Sequence, residues 1–262
     1  MVFGSETARV RDLLTFSKNE SSLLKRALRR CIRPFETLIV NHFHSIYYNG
    51  RVGERPIFTG TTWMGVPCLK CPLDMWVYQE LIANVQPDLI IETGTYRGGT
   101  TLFLAHMLDI LGKGMVLSVD TAPPPNMQHE RIKFLTASST DADVIQKAVK
   151  QHVHTNCLVI LDSDHLRKHV LEEMELLHQY VSPGSYLIVE HTNINGHPTY
   201  RNHAEMGTRF IDAEGNFVRR NFGPGPFEAV EEFLKHHSDF VCDTSQEKHL
   251  MTFNPHGFLK RT

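Results

Sequence analysis

Apolar and polar positions alternate in blocks along most of this chain, and the blocks predict strands and helices in turn. Short apolar runs have the length of buried strands, and stretches with apolar residues at helical spacing lie between them. Such alternation favours a parallel sheet with helices on both faces and with its functional groups at the carboxyl ends of the strands. The predicted strands are 88–91, 115–119, 133–136, 157–161 and 186–189.

Helical periodicity separates these strands. Asp74 predicts the N-cap of the first core helix, with Trp76, Leu81 and Ile82 facing inward. After the last core helix, residues 240–242 and 249–253 predict a closing hairpin. The predicted core helices are 74–84, 99–111, 141–151, 166–180 and 226–236.

The first 60 residues have a different character. Residues 1–50 predict a basic helix with leucines on one side, and residues 50–72 form a long connection rich in Gly, Pro and Thr, as in many lids. We interpret the basic face as solvated; a cap over the site, an oligomer contact or a surface-binding arm are the alternatives. We therefore predict an N-terminal helical extension and lid over residues 1–60, followed by a Rossmann-like, doubly wound α/β domain over residues 61–262.

Net charge, hydropathy and cysteine content limit the expected partners and the expected compartment. The net charge of −2 gives no general attraction to nucleic acid, and no apolar run has the length of a membrane span. Five cysteines, with no second pair to complete a zinc site beside Cys68 and Cys71, favour free thiols in a reducing compartment, and we expect the cytoplasm. A homo-oligomer is possible.

The turn after the first core strand predicts a cofactor site. A dinucleotide fingerprint needs a second glycine where Tyr96 stands, and no Lys-Ser/Thr pair follows Gly98 as in a nucleotide-binding P-loop. Glu92 at the strand tip would repel phosphate but suits the ammonium and sulfonium of S-adenosylmethionine. We predict that Glu92, Gly94, Thr95, Tyr96 and Gly98 bind this cofactor; an ordinary turn with a solvated glutamate is the alternative.

The next strand ends extend this cofactor site. Asp120, at the tip of the second core strand, is placed to accept both ribose hydroxyls. Ser138 and Ser139 follow the third strand and could reach the adenine edge. Asp162, at the tip of the fourth, completes the predicted cofactor-binding set.

Acidic and imidazole groups follow the fourth and fifth strands. Carboxylates gathered in a cleft repel one another unless a cation lies between them, and these groups are suitable ligands for a divalent ion. Capping of the following helix by the two aspartates is the alternative. The predicted metal ligands are Asp162, Asp164, Glu190 and His191.

A general base is predicted beside the metal ligands. His165 follows the acidic pair directly, and an imidazole has a pKa near the working pH. We predict His165 and Asp162 as the catalytic residues, with His169, one helical turn on, as the reserve candidate.

Longer motifs run from about Thr61 to the end of the chain. They are 70–74 (KCPLD), 76–80 (WVYQE), 92–94 (ETG), 98–100 (GGT), 161–165 (LDSDH), 193–198 (NINGHP) and 223–226 (GPGP). Together they resemble the cephalosporin hydroxylase/rhamnosyl O-methyltransferase family, which is similar to class I S-adenosylmethionine-dependent methyltransferases. The resemblance implies O-methylation of sugars or natural products and a magnesium site.

Particular residues follow from this resemblance. It implies that Glu92, Gly94 and Asp120 hold the cofactor, and that Asp162 or Asp164 with Glu190 holds the metal. In related cation-dependent enzymes a basic residue follows the metal aspartate by three, which is His165 if Asp162 is the ligand. One departure is His191, because the family pattern has aspartate there; the imidazole places magnesium in doubt and leaves manganese as an option.

The predicted function is methyl transfer from S-adenosylmethionine to a hydroxyl of a sugar-containing or natural-product-like small molecule, assisted by a divalent metal. A nicotinamide or flavin oxidoreductase is disfavoured by the missing pyrophosphate glycine. A non-haem iron hydroxylase using Asp162, Glu190 and His191, with His165 as a possible second histidine, is one remaining alternative. A binding protein whose site His191 has disabled is the other.

Overall fold

The structure is a computed structural model that describes residues 22–152, 155–194, 197, 199 and 224–262, with side chains from residue 35 onward. The N-terminal helical prediction therefore lies partly outside the described residues, and so does the predicted basic face of residues 23–30. Among the described helices, none is long and apolar enough to cross a membrane.

A long helix and two short hairpins precede the core domain. Helix α1 spans Ser22–Asn49. Strands β1 (Arg51–Val52) and β2 (Arg55–Pro56) pair with each other in antiparallel fashion, as do β3 (Thr62–Trp63) and β4 (Val66–Pro67). The connection predicted as a lid therefore contains two hairpins, and its movement as a lid stays a prediction.

The second half of α1 packs against the end of the chain. His44 Nε2 lies 3.2 Å from the backbone oxygen of Thr252, and Asn193 Nδ2 donates to the Tyr48 hydroxyl over 3.1 Å. The rings of Tyr48 and Phe253 stack with their centroids 4.6 Å apart. This half of the helix is thus part of the core packing, and the boundary at residue 60 stays a prediction.

A seven-stranded sheet forms the centre of the domain. Its strands are β5 Leu89–Thr93, β6 Met115–Asp120, β7 Ile132–Thr136, β8 Cys157–Leu161, β9 Tyr186–Val189, β10 Phe240–Cys242 and β11 Phe258–Arg261. Their order in the sheet is β10-β11-β9-β8-β5-β6-β7. The pairs among β5 to β9 are parallel, whereas β11 runs antiparallel to β9 and β10. From β5 the chain moves outward to β7 and then returns to β8, so the switch point lies between β5 and β8.

Helices cover both faces of this sheet. One buried cluster joins Val170 and Phe233 to the sheet, and another joins Tyr78 and Leu104 to its other face. The predicted doubly wound α/β fold and its five parallel strands are confirmed. The helices are α2 Pro72–Val85, α3 Gly99–Leu111, α4 Ala142–Val149, α5 Arg167–Leu177 and α6 Pro226–His236.

The predicted closing hairpin is wrong in its second strand. β10 pairs with β11, not with residues 249–253. The earlier segment instead crosses to the carboxyl end of the sheet, where Phe253 is fully buried and its backbone oxygen accepts from Asn193 N over 3.1 Å. Burial against α1 and α2 therefore replaces strand pairing for this apolar stretch.

Two predictions about α2 are also wrong. The helix begins at Pro72 with Cys71 as its N-cap residue, and Asp74 in the first turn accepts instead from the backbone N–H of Phe253 over 2.8 Å. Trp76 is 60% exposed, whereas Leu81 and Ile82 are buried as predicted. A proline at the first helical position already fixes the helix start, which frees Asp74 for this long-range contact.

Candidate active site

Close backbone contact at the switch point requires Gly94. Its φ is 86°, and a Cβ there would lie 2.0 Å from the backbone oxygen of Asp162. The next segment is equally tight, because a Cβ on Gly99 would lie 2.2 Å from the backbone oxygen of Pro67. The ends of β5, β8 and β4 therefore converge in a space that only glycine backbone can fill.

Asp120 is held at the rim of this convergence. Its Oδ2 accepts from the backbone N–H of Tyr96 over 3.0 Å, and its Oδ1 accepts from that of Ala122 over 2.9 Å. Tyr96 itself has a positive φ of 49°, which turns its amide toward the carboxylate. The carboxylate is thus fixed in place at the tip of β6, while part of it faces the cleft.

Two adjoining clefts open at the carboxyl ends of the strands. The larger, of about 520 Å³, is lined by Gly94, Thr95, Tyr96, Asp120 and Asp162, together with His165 and His191. The smaller, of about 290 Å³, shares Gly94 and Asp120 and adds Ser138, Ser139, Asp164 and His169. The structure therefore brings most of the predicted cofactor residues to two clefts that share Gly94 and Asp120.

Glu92 and Gly98 line neither cleft. Glu92 is buried beneath the turn, where its Oε2 accepts from Ser118 over 2.6 Å and from Thr101. Burial raises the pKa of this carboxyl to about 7. Gly98 caps the start of α3 with a φ of 82°. Neither residue is exposed to the clefts, and each stabilises the turn between β5 and α3. A direct contact of either with the cofactor stays a prediction.

A buried lysine lies between the two carboxylates of strands β8 and β9. Lys70 Nζ contacts Asp162 Oδ2 and lies 2.7 Å from Glu190 Oε1, which also accepts from the Tyr78 hydroxyl. Burial alone would lower the pKa of Lys70, but Asp162 and Glu190 raise it well above its usual range. The ammonium is therefore charged and neutralises part of the acidic pair.

Sequence reasoning missed the role of Lys70. The repulsion argument indicated that a cation lies between the acidic strand ends, and assigned a metal ion to that place. The available signal was a lysine inside one of the recognised motifs, shortly before α2. Nothing in the local sequence links this lysine to Asp162 or Glu190, which are far away along the chain.

Two histidines approach Asp162 from the other side. His191 Nδ1 lies 2.9 Å from Asp162 Oδ1, and His165 Nε2 lies 3.6 Å from the same oxygen. The two rings meet edge to face with centroids 4.7 Å apart. Burial lowers the pKa of His165, so its ring is neutral at neutral pH.

Asp162 stays ionised within this group. Burial would raise its pKa, but Lys70 and His191 hold the pKa of the carboxyl well below its usual range. His191 has a φ of 57°, and its backbone N–H donates to Asn254 Oδ1 over 3.0 Å. A histidine in this uncommon conformation indicates that its position is fixed by the surroundings.

The arrangement has donors suited to a divalent ion. Asp162, His165 and His191 each offer one ligand atom, and these atoms lie within 4.8 Å of one another. Within the described part of the chain, the buried atoms His165 Nε2, His191 Nε2 and Glu190 Oε2 have no hydrogen-bond partner. A group rich in nitrogen fits manganese, iron, cobalt or zinc better than magnesium.

Asp164 and His169 lie apart from that group. Asp164 Oδ1 accepts from the backbone N–H of Leu166 over 2.7 Å in the loop before α5. Leu166 is the N-cap residue of α5 and the helix start has no side-chain capping bond, so the capping alternative is not what the structure shows for Asp164. His169 Nε2 lies 3.1 Å from Ser163 Oγ and 3.3 Å from Ser139 Oγ. A hydrogen bond to Glu173 raises the pKa of His169. Both residues belong to the smaller cleft.

Named proteins are similar to this chain over most or all of its length. Residues 56–262 match the family described as Rhamnosyl O-methyltransferase/CmcI. The Rhamnosyl O-methyltransferase of Mycobacterium tuberculosis (strain ATCC 25618 / H37Rv) is 35% identical over 271 residues, which are 100% of this chain and 99% of that protein. That of Mycobacterium leprae (strain TN) is 35% identical over 237 residues, 87% of this chain and 93% of that protein.

Solved structures share the fold. A CmcI structure with Mg and SAM superposes with a TM-score of 0.58 at 19% identity, covering 81% of each chain. A CmcI structure with SAH gives a TM-score of 0.52 at 16% identity, covering 80% of this chain and 87% of that one. The likeness confirms a fold of the class I methyltransferase type. With the match over residues 56–262, it follows that the chain belongs to the Rhamnosyl O-methyltransferase/CmcI family.

Proposed function

We propose that this protein transfers a methyl group from S-adenosylmethionine to a hydroxyl of a sugar-containing small molecule. The observation that carries the proposal is the pair of clefts at the switch point that share Gly94 and Asp120. The larger is lined both by the fixed carboxylate of Asp120 and by the neutral ring of His165, beside the ionised Asp162. The names of the mycobacterial relatives support a sugar hydroxyl as the acceptor.

In this proposal the cofactor extends across both clefts. The adenosine end lies against the smaller cleft, where Ser138 and Ser139 face the base and Asp120 accepts from the ribose hydroxyls. The methionine end extends past Gly94 into the larger cleft, which brings the methyl group toward His165. The tight turn at Gly94 lets the cofactor approach the backbone closely.

His165 serves as the general base. Its neutral ring takes the proton of the acceptor hydroxyl, and Asp162 stabilises the imidazolium that forms. The acceptor oxygen attacks the methyl carbon in line with the sulfur, so the new O–CH₃ bond forms as the S–CH₃ bond breaks. The sulfonium becomes a neutral thioether, and the products are S-adenosylhomocysteine and a methyl ether. The chain's main contribution is to align the two reactants.

A divalent ion is part of this proposal. Asp162 and His191 would hold it, and when bound it would lower the pKa of the acceptor hydroxyl. Glu190, also predicted as a ligand, is outside the group of Asp162, His165 and His191 whose ligand atoms lie within 4.8 Å of one another. Lys70 already supplies one positive charge to the carboxylate pair. With Lys70 in place, the two carboxylates present a net charge of −1 to the ion rather than −2. Weaker electrostatic attraction favours transition metals, which also bind imidazole nitrogen well.

The acceptor fits the larger cleft. Its walls include the ring of Phe58, the ring of Tyr96 and the apolar side chains of Pro67 and Leu69. Such walls suit the C–H faces of a sugar ring, while its hydroxyls meet the polar groups around Asp162. We further propose the cytoplasm as the location, supported by the free thiols of the described cysteines, and a homo-oligomer as a state to be measured.

A methyl-transfer assay tests the proposal. Purified protein is incubated with S-adenosylmethionine carrying a labelled methyl group and a panel of rhamnose-containing and other glycosides. S-adenosylhomocysteine and a labelled methyl ether should form together, and the His165→Ala variant should lose both. Cofactor binding without methyl transfer to any hydroxyl compound would contradict the proposed activity.

A second candidate is a non-haem iron oxygenase. The observation that favours it is the grouping of two histidines and one carboxylate, His165, His191 and Asp162, which is the usual ligand set of such iron sites. The same assay, with iron, dioxygen and a reductant added, separates the two functions: the oxygenase would insert one oxygen atom of dioxygen into a C–H bond, reduce the other to water, and leave S-adenosylmethionine unconsumed.

A further inference from the structure

A group of histidine and glutamate side chains with metal-ligand spacing lies at the far end of α5 from the candidate active site. His237 Nε2 lies 3.1 Å and 3.0 Å from the two carboxylate oxygens of Glu175. The ring of His178 lies beside that of His237, with their centroids 4.4 Å apart. One ligand atom from each of the three residues lies within 4.8 Å of the other two.

Helix geometry and aromatic packing hold these side chains in place. Glu175 and His178 are three residues apart at the end of α5, which puts them on the same side of the helix. His237 follows the last residue of α6 and stacks on Phe233 with centroids 3.9 Å apart. His178 packs edge to face against the same Phe233 ring at 5.7 Å. The two imidazoles therefore share one apolar support.

The electrostatic surroundings favour a cation. His178 and His237 are the C-cap residues of α5 and α6, so the negative ends of two helix dipoles meet at the group. His178 Nδ1 is buried and has no hydrogen-bond partner within the described residues. Burial, and then His237, lower the pKa of His178, which keeps its ring neutral and its lone pair available.

The neighbouring arginine does not fill the place of a cation. Arg261 Nε lies 3.2 Å from Asp239 Oδ2, and its Nη1 donates to the backbone oxygen of Val181 over 2.7 Å. The guanidinium is thus balanced by Asp239 and directed to the backbone. In the described part of the chain, His237 provides the hydrogen bonds that Glu175 receives.

A comparable group elsewhere lacks these properties. His106, Asp109 and His129 also lie within 4.8 Å of one another. There, however, Trp63 Nε1 donates to His106 Nδ1 over 3.0 Å, and Arg131 Nε lies 2.7 Å from Asp109. One ring is already committed as an acceptor and a full positive charge stands beside the carboxylate, so a cation is disfavoured.

We propose that Glu175, His178 and His237 bind a zinc ion, or a similar divalent transition metal, at the ends of α5 and α6. Two imidazole nitrogens and one carboxylate oxygen are a recognised three-ligand set for zinc, and the site faces solvent, so water completes the coordination. The ion joins a helix that starts at the active-site loop to one that packs beside it. Its place is therefore structural and separate from methyl transfer.

Metal counting on the full-length protein tests the site. Metal-free wild type and the variants His178→Ala, His237→Ala and Glu175→Gln are dialysed against zinc, and the bound equivalents are counted. Cobalt then serves as a visible probe, because cobalt bound by nitrogen and oxygen absorbs in the visible range. His236→Ala is the matched control, since this exposed histidine is adjacent to His237 but lies outside the group.

Wild type and His236→Ala should bind one equivalent of zinc that the three variants bind at least about tenfold more weakly. Zinc should also raise the thermal midpoint of wild type and of His236→Ala, and this rise should be smaller in the variants. Any equivalent held at the active site remains in all five proteins. Glu175→Gln keeps the shape of the side chain and decides the matter if an alanine variant does not fold. Equal zinc stoichiometry and affinity in wild type and Glu175→Gln would overturn the proposal.

Discussion

Lys70 Nζ lies 2.7 Å from Glu190 Oε1, and both side chains are buried. The same ammonium contacts Asp162, so one lysine from the segment before α2 joins the ends of β8 and β9. A buried cation between two buried carboxylates has a defined consequence: removing it leaves two negative charges facing each other without water.

Lys70→Met should therefore destabilise the fold strongly. The expected loss is about 3–5 kcal/mol in the free energy of unfolding, because uncompensated buried charge is costly. Urea denaturation measures it. Lys113→Met is the matched control, since the Lys113–Asp88 pair has a similar distance of 3.0 Å but is 41% and 28% exposed. That exposed pair should contribute less than about 1 kcal/mol. Equal losses of unfolding free energy in Lys70→Met and Lys113→Met would show that the buried Lys70 ion pairs stabilise the fold no more than an exposed pair does.

Gly94→Ala should abolish cofactor binding. The new Cβ would lie 2.0 Å from the backbone oxygen of Asp162, so either the turn or the end of β8 must move. Gly112→Ala is the control: Gly112 has a φ of 71° but no atom within 4 Å of its Cβ position, so only the strain of a left-handed residue, about 1–2 kcal/mol, should be seen. Calorimetry with S-adenosylmethionine measures binding. Normal binding by Gly94→Ala would mean that the two strand ends separate at little cost.

Asp120→Ala should weaken S-adenosylmethionine by about 1–3 kcal/mol, because hydrogen bonds from the ribose to a charged acceptor are lost. Isothermal titration measures the change. Asp109→Ala serves as the control, since Asp109 is an exposed carboxylate paired with Arg131 on the outside of α3. If Asp120→Ala binds S-adenosylmethionine as tightly as wild type does, then Asp120 does not accept the hydrogen bonds of the ribose hydroxyls.

His165→Ala should lower turnover by about 10²–10⁴-fold while cofactor affinity stays nearly the same, as expected when a general base is removed. His169→Ala is the control, because His169 faces the smaller cleft and is bonded to Ser163 and Ser139. If His169→Ala carries the loss instead, the roles of the two histidines are exchanged.

The same assignment fixes the pH dependence. The base acts in its neutral form, and burial places the pKa of His165 below its ordinary value. Turnover should thus be constant near neutral pH and fall only in acid, as the ring becomes protonated. A pH–rate profile under saturating cofactor measures this. A rate that still rises between pH 7 and 8 would point to a group of higher pKa.

His191→Asp should shift the metal preference. The wild-type imidazole favours manganese, cobalt or zinc, and a carboxylate adds a negative charge and an oxygen ligand, so magnesium affinity should rise. Titration of metal-free protein with magnesium and with manganese measures both affinities, and activity after chelation and add-back of single ions follows. His42→Asp adds the same charge at an exposed position of α1, outside both proposed metal sites, as a control. Full activity of the wild type in chelator, with no ion bound, would remove the metal from the proposed function and leave methyl transfer intact.

The sequence predicted the strand ends well because their chemistry is local. Each parallel strand is a short apolar run followed by a polar residue, and parallel strands end at the same edge of the sheet. Asp120, Asp162 and His165 could therefore be placed together without any knowledge of packing. Gly94 could be placed as well, since a strand–turn–helix junction needs a positive φ.

Other features depend on contacts between distant segments. Lys70 reaches Asp162 and Glu190 through folding of the connection before α2, and no periodicity encodes that path. Asp74 is an ordinary capping residue by sequence, yet it bonds Phe253, 179 residues away. The last strand, Phe258–Arg261, was missed because it is short and half basic. Residues 249–253 were predicted in its place, but they do not pair with β10, and of this segment Thr252 and Phe253 are the buried residues.

The stacking of Tyr48 on Phe253 changes how the N-terminal helix is to be regarded. Phe253 in turn stacks against His191 at 5.8 Å, so three rings in contact lead from α1 to His191, whose Nδ1 lies 2.9 Å from Asp162 Oδ1. The family match begins at residue 56, whereas the similarity to the M. tuberculosis relative also includes α1. A protein cut at residue 56 would retain every proposed catalytic side chain and yet lose the Tyr48 ring that packs on Phe253 behind His191.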